Sequence, residues 1–144
     1  MDRFKLTPAT HLLLFRDGKV LLLRRFNTGW EDGNYSVIAG HLDCNETATQ
    51  AMIREAREEA GIMLKPENLK MVHIMHRKSV DDERVDFFMT AENWSGEPRM
   101  MEPHKCDDLS WFDADRLPDN TVAYVRQAIG CVRKGVFYSE CGWD

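Results

Sequence analysis

Apolar side chains come in two short runs near the start of the chain, residues 10–15 and 19–24, with Arg16-Asp17-Gly18 between them. An Asp-Gly pair supplies the positive φ angles of a tight turn, so the two runs are expected to pair as a hairpin. Residues 26–34 are polar and contain Gly29 and Gly33, which reads as a loop. Residues 35–39 follow as a short buried strand leading into Gly40. A helix is expected to begin at Asn45 or Glu46, with Asn45 as N-cap. It should stop at Gly61, which suits a left-handed C-terminal position. Along it Ala48, Met52, Ile53, Ala56 and Ala60 share one side, while Gln50, Arg54 and Arg57 share the opposite one.

Further on, residues 69–75 and 85–90 are expected as strands of a second hairpin, joined by a charged connection over 77–84. Residues 93–105 carry Gly96, Pro98 and Pro103 and read as a loop, after which 109–112 return as a strand. Residues 113–117 read as a brief helical turn before Pro118. A last helix is expected over 121–134, with Val122, Val125, Ile129 and Val132 on one side. The order hairpin, strand, helix, hairpin, strand, helix predicts a mixed sheet with helices on both faces, in an α/β or α+β fold.

A chain of 144 residues that is 43% hydrophobic has material for one core, so residues 1–144 are read as a single domain. The net charge of −5 argues against nonspecific nucleic-acid binding, which needs a basic surface to displace counterions. It leaves room for a small phosphorylated substrate, because a bound metal ion can supply the missing positive charge. Cys44, Cys106, Cys131 and Cys141 show no zinc spacing, and His11, His73, His76 and His104 are too scattered to form a site. With no apolar leader and no run long enough to span a bilayer, free thiols in a cytoplasmic protein without membrane association are expected.

The informative chemistry lies at the end of the first helix. Glu55, Glu58 and Glu59 are spaced i, i+3, i+4, so their carboxylates emerge on one face within a turn of one another. They repel each other and sit near the end of the helix where its dipole disfavours anions. A bound hard cation such as Mg²⁺ or Mn²⁺ would reverse both penalties. The plainer alternative is a solvated acidic face, but the stripe borders the apolar side of the helix, where it can line a cleft.

Taken together, Gly40, Glu46 and the run Arg54-Glu55-Ala56-Arg57-Glu58-Glu59-Ala60-Gly61-Ile62 resemble the signature box of the Nudix (MutT-like) pyrophosphohydrolases. Ala56 stands where a bulkier apolar residue is common. The resemblance implies an α/β/α sandwich and Mg²⁺-dependent cleavage of a phosphoanhydride, with monomer or homodimer both found among relatives. It implies Glu58 and Glu59 as primary metal ligands and Glu55 as ligand or general base. Arg54 would orient the glutamates through a salt bridge, expected to Glu58 at i+4. Gly40 would allow close approach of the main chain and could offer its carbonyl to the ion. Glu46 is either a helix-start residue or an outer metal contact. A further glutamate is expected from a later loop, with Glu102 the first candidate and Glu97 the second. Arg24 and Arg25, ending the second strand, are candidates for holding phosphates. His41 would touch the ligand or cap a turn. Trp30, Tyr35, Phe87, Trp111 and Phe112 are each either base-stacking partners or core.

Substrate markers are sparser, since loops rather than the box choose the leaving group. Relatives that cleave ADP-ribose tend to carry a proline downstream of the box, where this chain has Arg77 and Lys78. Those that cleave dinucleoside polyphosphates tend to carry a tyrosine where Ser79 stands. The segment Glu102-Pro103-His104-Lys105-Cys106, with Trp111-Phe112 and Leu117-Pro118, resembles relatives acting on nucleoside triphosphates, including oxidised ones. The expected reaction is therefore hydrolysis of a nucleoside triphosphate, such as a modified deoxynucleotide, to the monophosphate and pyrophosphate. Cleavage of a nucleoside diphosphate linked to another moiety, of ADP-ribose, sugar or dinucleotide type, is the alternative. A nucleotide-sensing module without activity is disfavoured by the intact Glu55, Glu58 and Glu59, and a protein-interaction domain using the acidic stripe is a third class.

Overall fold

Asp17 and Gly18 have φ angles of 53° and 76°, the left-handed pair that a two-residue hairpin turn requires. In a computed structural model, which describes residues 2–144, this turn joins β2 (Phe15–Arg16) to β3 (Lys19–Arg25). The first apolar run does not stay in that hairpin. Its opening residues belong to β1 (Thr7–Leu12), which lies in a different sheet. The chain crosses between sheets at Leu13 and Leu14: the Leu13 amide donates to the Met89 carbonyl, and the Leu14 carbonyl accepts from Leu21.

The second short run divides the same way. Tyr35–Ser36 form β4 beside β3, while β5 (Ile38–His41) pairs antiparallel with β1. The expected hairpin of the middle region is present but longer, as β6 (Leu69–Lys78) and β7 (Glu83–Ala91), with only residues 79–82 left as the connection. β8 (Cys106–Asp113) returns to pair with β3. A strand not foreseen in the sequence, β9 (Tyr138–Cys141), adds parallel to β6. The result is a mixed five-stranded sheet ordered β5-β1-β7-β6-β9 and a four-stranded sheet built on β2, β3, β4 and β8. The single sheet expected from the sequence is thus two sheets sharing strand crossovers.

Two helices cover opposite faces. α1 (Ala48–Ala60) contributes Met52, Ala56 and Ala60 to a core with Leu12, Leu14, Leu21, Leu23 and Ile38. α2 (Ala123–Arg133) contributes Val125, Ala128 and Ile129 to a second core with Leu13, Val20, Leu22 and Val37. Alternate residues of one strand serve opposite cores, which is why these strands read as unbroken apolar runs.

α1 begins two residues later than a Glu46 start would place it. Its cap is Thr47, whose hydroxyl accepts from the Gln50 amide at 3.0 Å while the Gln50 side chain accepts from the Thr47 amide at 2.9 Å. Asn45 instead takes a left-handed turn conformation with φ of 65°. At the other end Gly61, with φ of 67°, caps the helix as expected and donates to the Arg57 carbonyl. The segment 113–117 is a hydrogen-bonded turn rather than a helix, closed by the Arg116 amide on the Asp113 carbonyl.

Candidate functional site

Three elements meet at the C-terminal half of α1. β5 runs alongside the helix and brings Ala39, Gly40 and His41 against it. The loop that precedes β8 is tied to the helix end, where the Arg99 amide donates to the Ala60 carbonyl and the Met101 amide to the Glu59 carbonyl. That anchorage delivers Glu102 to the glutamates of α1. Glu55, Glu58, Glu59 and Glu102 line one cavity of about 570 Å³, with Arg25, Asn27, Thr28, His104 and Lys105 on its remaining walls. Glu97 is elsewhere, in a bidentate pair with Arg16.

Arg54 organises this cluster, and not in the manner expected. Its side chain does not lie away from the core with Gln50 and Arg57; it reaches back along the helix and is only 24% exposed. Nε and Nη2 donate to the two Glu46 oxygens at 2.8 and 2.9 Å, Nη1 donates to Glu55 at 2.7 Å, and Nη2 also reaches the His41 carbonyl at 3.2 Å. Glu58, the expected partner at i+4, is a long contact at 3.4 Å, comparable with Asp43 at 3.5 Å. Both Glu46 oxygens accept from Arg54, and Oε1 also accepts from the Asp43 amide at 2.9 Å, so Glu46 anchors Arg54 to the turn ahead of the helix. Hydrogen bonds from Arg54, and then from the Asp43 amide, hold its carboxyl down at about 2. The same contacts hold the Arg54 guanidinium firmly charged.

Glu55 lies tightly on Gly40, and any side chain there would occupy its space. Glu59 is the unusual group. One of its oxygens, Oε2, is buried with no hydrogen-bond partner. Burial, followed by the neighbouring Glu55 and Glu102 carboxyls, pushes it well above the usual carboxylate range, with the Ala39 backbone working weakly the other way. An orphaned buried carboxylate oxygen among other carboxylates is a place where a hard cation fits, and oxygen-only donors suit Mg²⁺ or Mn²⁺. Among the described residues no three such groups are already drawn together around a single point. Arg54 accounts for this, since it engages Glu55 and leans on Glu58 from outside the cavity.

A second, larger cavity of about 950 Å³ adjoins the first, sharing Arg25 and Ala39 as its walls. It is lined by Arg77, Lys78 and Arg84 beside Asp81, Asp82 and Asp144, with His11, His41, Trp30 and Tyr124 among the rest, so the acidic end of the cleft faces one of mixed charge with aromatic walls. Arg25 spans both, stacked over Trp30 at 4.8 Å and donating to the Trp30 carbonyl and the Thr28 hydroxyl. His41 lines the larger cavity and accepts from Arg84 Nη2 at 2.7 Å.

Other candidates fall outside the cleft. Arg24 is paired with Asp107 at 2.7 Å and lines neither cavity. Tyr35 is buried against Phe112 and donates its hydroxyl to Asp108. Trp111 stacks on Trp94 beneath Arg16. Of the five aromatic candidates, Trp30 is the one that lines a cavity.

The sequence reading missed the His11, Asp86, Arg77 and Arg84 group. Asp86 is fully buried, accepting from Arg77 Nε at 2.7 Å and bonded to His11 at 2.9 Å. The signal was available: a charged residue and a histidine each stand inside an otherwise apolar strand, and buried charges need partners.

A family model described as NUDIX domain matches residues 5–129. The NAD-capped RNA hydrolase NudC of Pseudomonas aeruginosa is 32% identical over 114 residues, a match covering 79% of this chain but 38% of that protein. The chain thus spans about two fifths of that relative's length. The ADP-ribose pyrophosphatase of Methanocaldococcus jannaschii is 26% identical over 118 residues, covering 81% of this chain and 68% of that protein. Among solved structures, the MutT NUDIX hydrolase from Burkholderia pseudomallei superposes with a TM-score of 0.81 at 28% identity, covering 88% of this chain and 98% of that one.

Proposed function

The chain belongs to the Nudix family, and from that premise we propose that it is a divalent-metal-dependent pyrophosphohydrolase acting on a nucleoside diphosphate linked to a second group. The observation that carries this reading is the two-part cleft, in which the carboxylate cluster adjoins, across Arg25 and Ala39, a larger cavity with aromatic walls and mixed charge. A linked diphosphate has a moiety on each side of its pyrophosphate, and such a cleft can house both. The relatives add weight: NAD and ADP-ribose, which their names contain, are compounds in which a pyrophosphate joins a nucleoside to another group. This shifts the preference away from the nucleoside triphosphate expected from the sequence. The triphosphate remains a second reading, supported by His104 and Lys105, two side chains able to carry positive charge that line the same cavity as the glutamates.

Glu58, Glu59 and Glu102, with the Gly40 carbonyl nearby, would hold the ion. When bound, Mg²⁺ neutralises charge on the phosphoryl oxygens and lowers the pKa of a coordinated water. The chain's own residues do the rest. Arg54 fixes Glu55 against Gly40, in position to accept the proton of the attacking water. Arg25, where the cavities meet, faces the pyrophosphate and balances its charge. Trp30 and Tyr124 offer apolar surface to the nucleoside.

A nucleotide panel tests the reading. Mg²⁺-dependent release of a nucleoside monophosphate from ADP-ribose, NAD or a nucleotide sugar, in preference to cleavage of triphosphates, is the expected result. Turnover that survives Glu58→Gln combined with Glu59→Gln would overturn it.

A further inference from the structure

The loop over residues 26–34 stands where the two cavities meet: Asn27 and Thr28 line the smaller one, Trp30 lines the larger, and Arg25 at its neck lines both. Two backbone bonds close the neck, from the Arg25 amide to the Asn34 carbonyl at 2.9 Å and from the Gly33 amide to the Arg25 carbonyl at 2.8 Å. Within the loop the organising group is Asp32, which itself lines neither cavity. Its Oδ1 accepts from the Thr28 hydroxyl at 2.6 Å and its Oδ2 from the Gly29 amide at 2.9 Å, with the Thr28 amide 3.0 and 3.1 Å from the two oxygens. These bonds, the hydroxyl first, hold the Asp32 carboxyl below its usual range.

A hydroxyl has one hydrogen. With that hydrogen on Asp32, the Thr28 oxygen turns its lone pairs to Arg25 Nη2 at 2.9 Å and the Trp30 amide at 3.2 Å. Arg25 Nε donates to the Trp30 carbonyl at 2.7 Å, and the guanidinium lies over the indole ring. Asp32, Thr28, Arg25 and Trp30 thus form one connected unit. Glu31 within it has a φ of 53°, a left-handed conformation that a long side chain keeps only where its surroundings enforce it.

This unit orients Arg25 without neutralising it. Among the described residues no carboxylate pairs with Arg25, whereas Arg24, Arg54 and Arg77 are each paired. Its Nη1 takes no part in the bonds to Thr28 and Trp30. Trp30 is 44% exposed, with Tyr124 at 6.2 Å across the larger cavity. A cation with charge to spare beside an open aromatic face suits a phosphate group next to a planar ring.

We propose that Asp32 is a positioning residue: acting through the Thr28 hydroxyl, it holds Arg25 and Trp30 as one clamp, the guanidinium on the pyrophosphate and the indole on the ring of the attached nucleoside. This rests on the reading that the cleft binds a nucleoside carrying a pyrophosphate, but not on turnover.

The test is calorimetric binding, in Mg²⁺ and to the full chain, of the α,β-methylene analogue of ADP-ribose, whose bridging carbon resists hydrolysis. Asp32→Ala and Arg25→Ala should each weaken binding by about tenfold. Together they should weaken it by far less than the product of the two, because Asp32 acts largely through Arg25. Thr28→Val should lose affinity like Asp32→Ala, and Thr28→Ser, which restores the hydroxyl, should recover it. A merely structural role for Asp32 would give losses that multiply in full. That result, or wild-type affinity in Asp32→Ala or Thr28→Val, would overturn the proposal. Coupling seen only with α,β-methylene ATP would leave the clamp standing and overturn the linked-diphosphate reading, and a wild type that binds neither analogue would overturn both. A chain that shows the coupling but hydrolyses nothing would overturn the hydrolase reading alone.

Discussion

The Glu55 carboxyl lies so close to Gly40 that a Cβ built on the glycine would stand 2.2 Å from Glu55 Cδ and Oε1. Gly40 does not have a left-handed φ, so its backbone would accept any residue, and the overlap alone demands glycine. Gly40→Ala should therefore displace Glu55 from Arg54 without unfolding the strand. The expected outcome is a loss in kcat/KM of about 100-fold, the scale of a small misplacement at a reacting centre, with little change in melting temperature. Steady-state kinetics beside a thermal melt checks it.

Arg54 makes three separate attachments, to Glu46, Glu55 and the His41 carbonyl. A lysine carries one compact ammonium and cannot hold all three. Arg54→Lys should cost about 10- to 100-fold in activity, the range for groups that orient a metal's ligands. The requirement for Mg²⁺ should move to higher concentration, which a Mg²⁺ titration of the rate measures. Glu46→Gln, which leaves a neutral acceptor for Arg54, should be milder in the same assay.

Acid stability follows from two depressed carboxyls. Glu46 is held at about 2, against a usual value of 4.5, by Arg54 and the Asp43 amide. Burial opposes the ionisation of Asp86, but hydrogen bonds and charge from His11 and Arg77 prevail and hold it below its usual range. A carboxyl whose folded pKa is depressed contributes stability above its unfolded pKa and loses it as pH falls towards the folded one. The stability that these two carboxyls contribute should accordingly be level near neutrality and be lost as pH falls from about 4.5 towards about 2, so the acid-side drop in melting temperature should be shallower in Glu46→Gln.

Glu59 behaves in the opposite sense. Burial and its acidic neighbours raise its pKa, so the metal-free protein loses stability as pH rises from the usual carboxylate value to the raised one. Glu59→Gln removes that penalty. In chelator at neutral pH it should raise the stability of the protein, because a neutral amide carries no cost of ionising in a buried, acidic surrounding. It should abolish activity and the gain in melting temperature that Mg²⁺ gives the wild type. Denaturant unfolding with and without Mg²⁺ separates these effects.

Much of this was legible in the residues, and what was not has a physical cause. The Asp17-Gly18 turn, the Gly61 cap and the grouping of Glu55, Glu58 and Glu59 follow from local chemistry and helical spacing, whereas Glu102 was a candidate only through the family resemblance. The division of residues 10–15 and 35–39 between two sheets was hidden because both faces of these strands are buried, so Leu12, Leu13, Ile38 and Val37 look alike in sequence. Thr47 competes for the cap with Asn45, and only the Gln50 side chain bonding back to it decides the matter. The His11 and Asp86 pairing joins residues 75 positions apart, across two neighbouring strands: each is locally marked as a polar residue within a strand, but nothing local says that the two meet. Arg54 was read from its place on a helical wheel, whereas a long side chain can reach back over a turn to Glu46.

The central claim is that the carboxylates at the end of α1 hold a divalent ion. Anomalous diffraction from a crystal soaked in Mn²⁺ tests it most directly. A single strong peak bounded by Glu58, Glu59 and Glu102, lost in Glu58→Gln combined with Glu59→Gln, is the predicted result. Well-ordered glutamates turned to solvent with no peak among them, in a crystal still able to turn over substrate, would contradict the account.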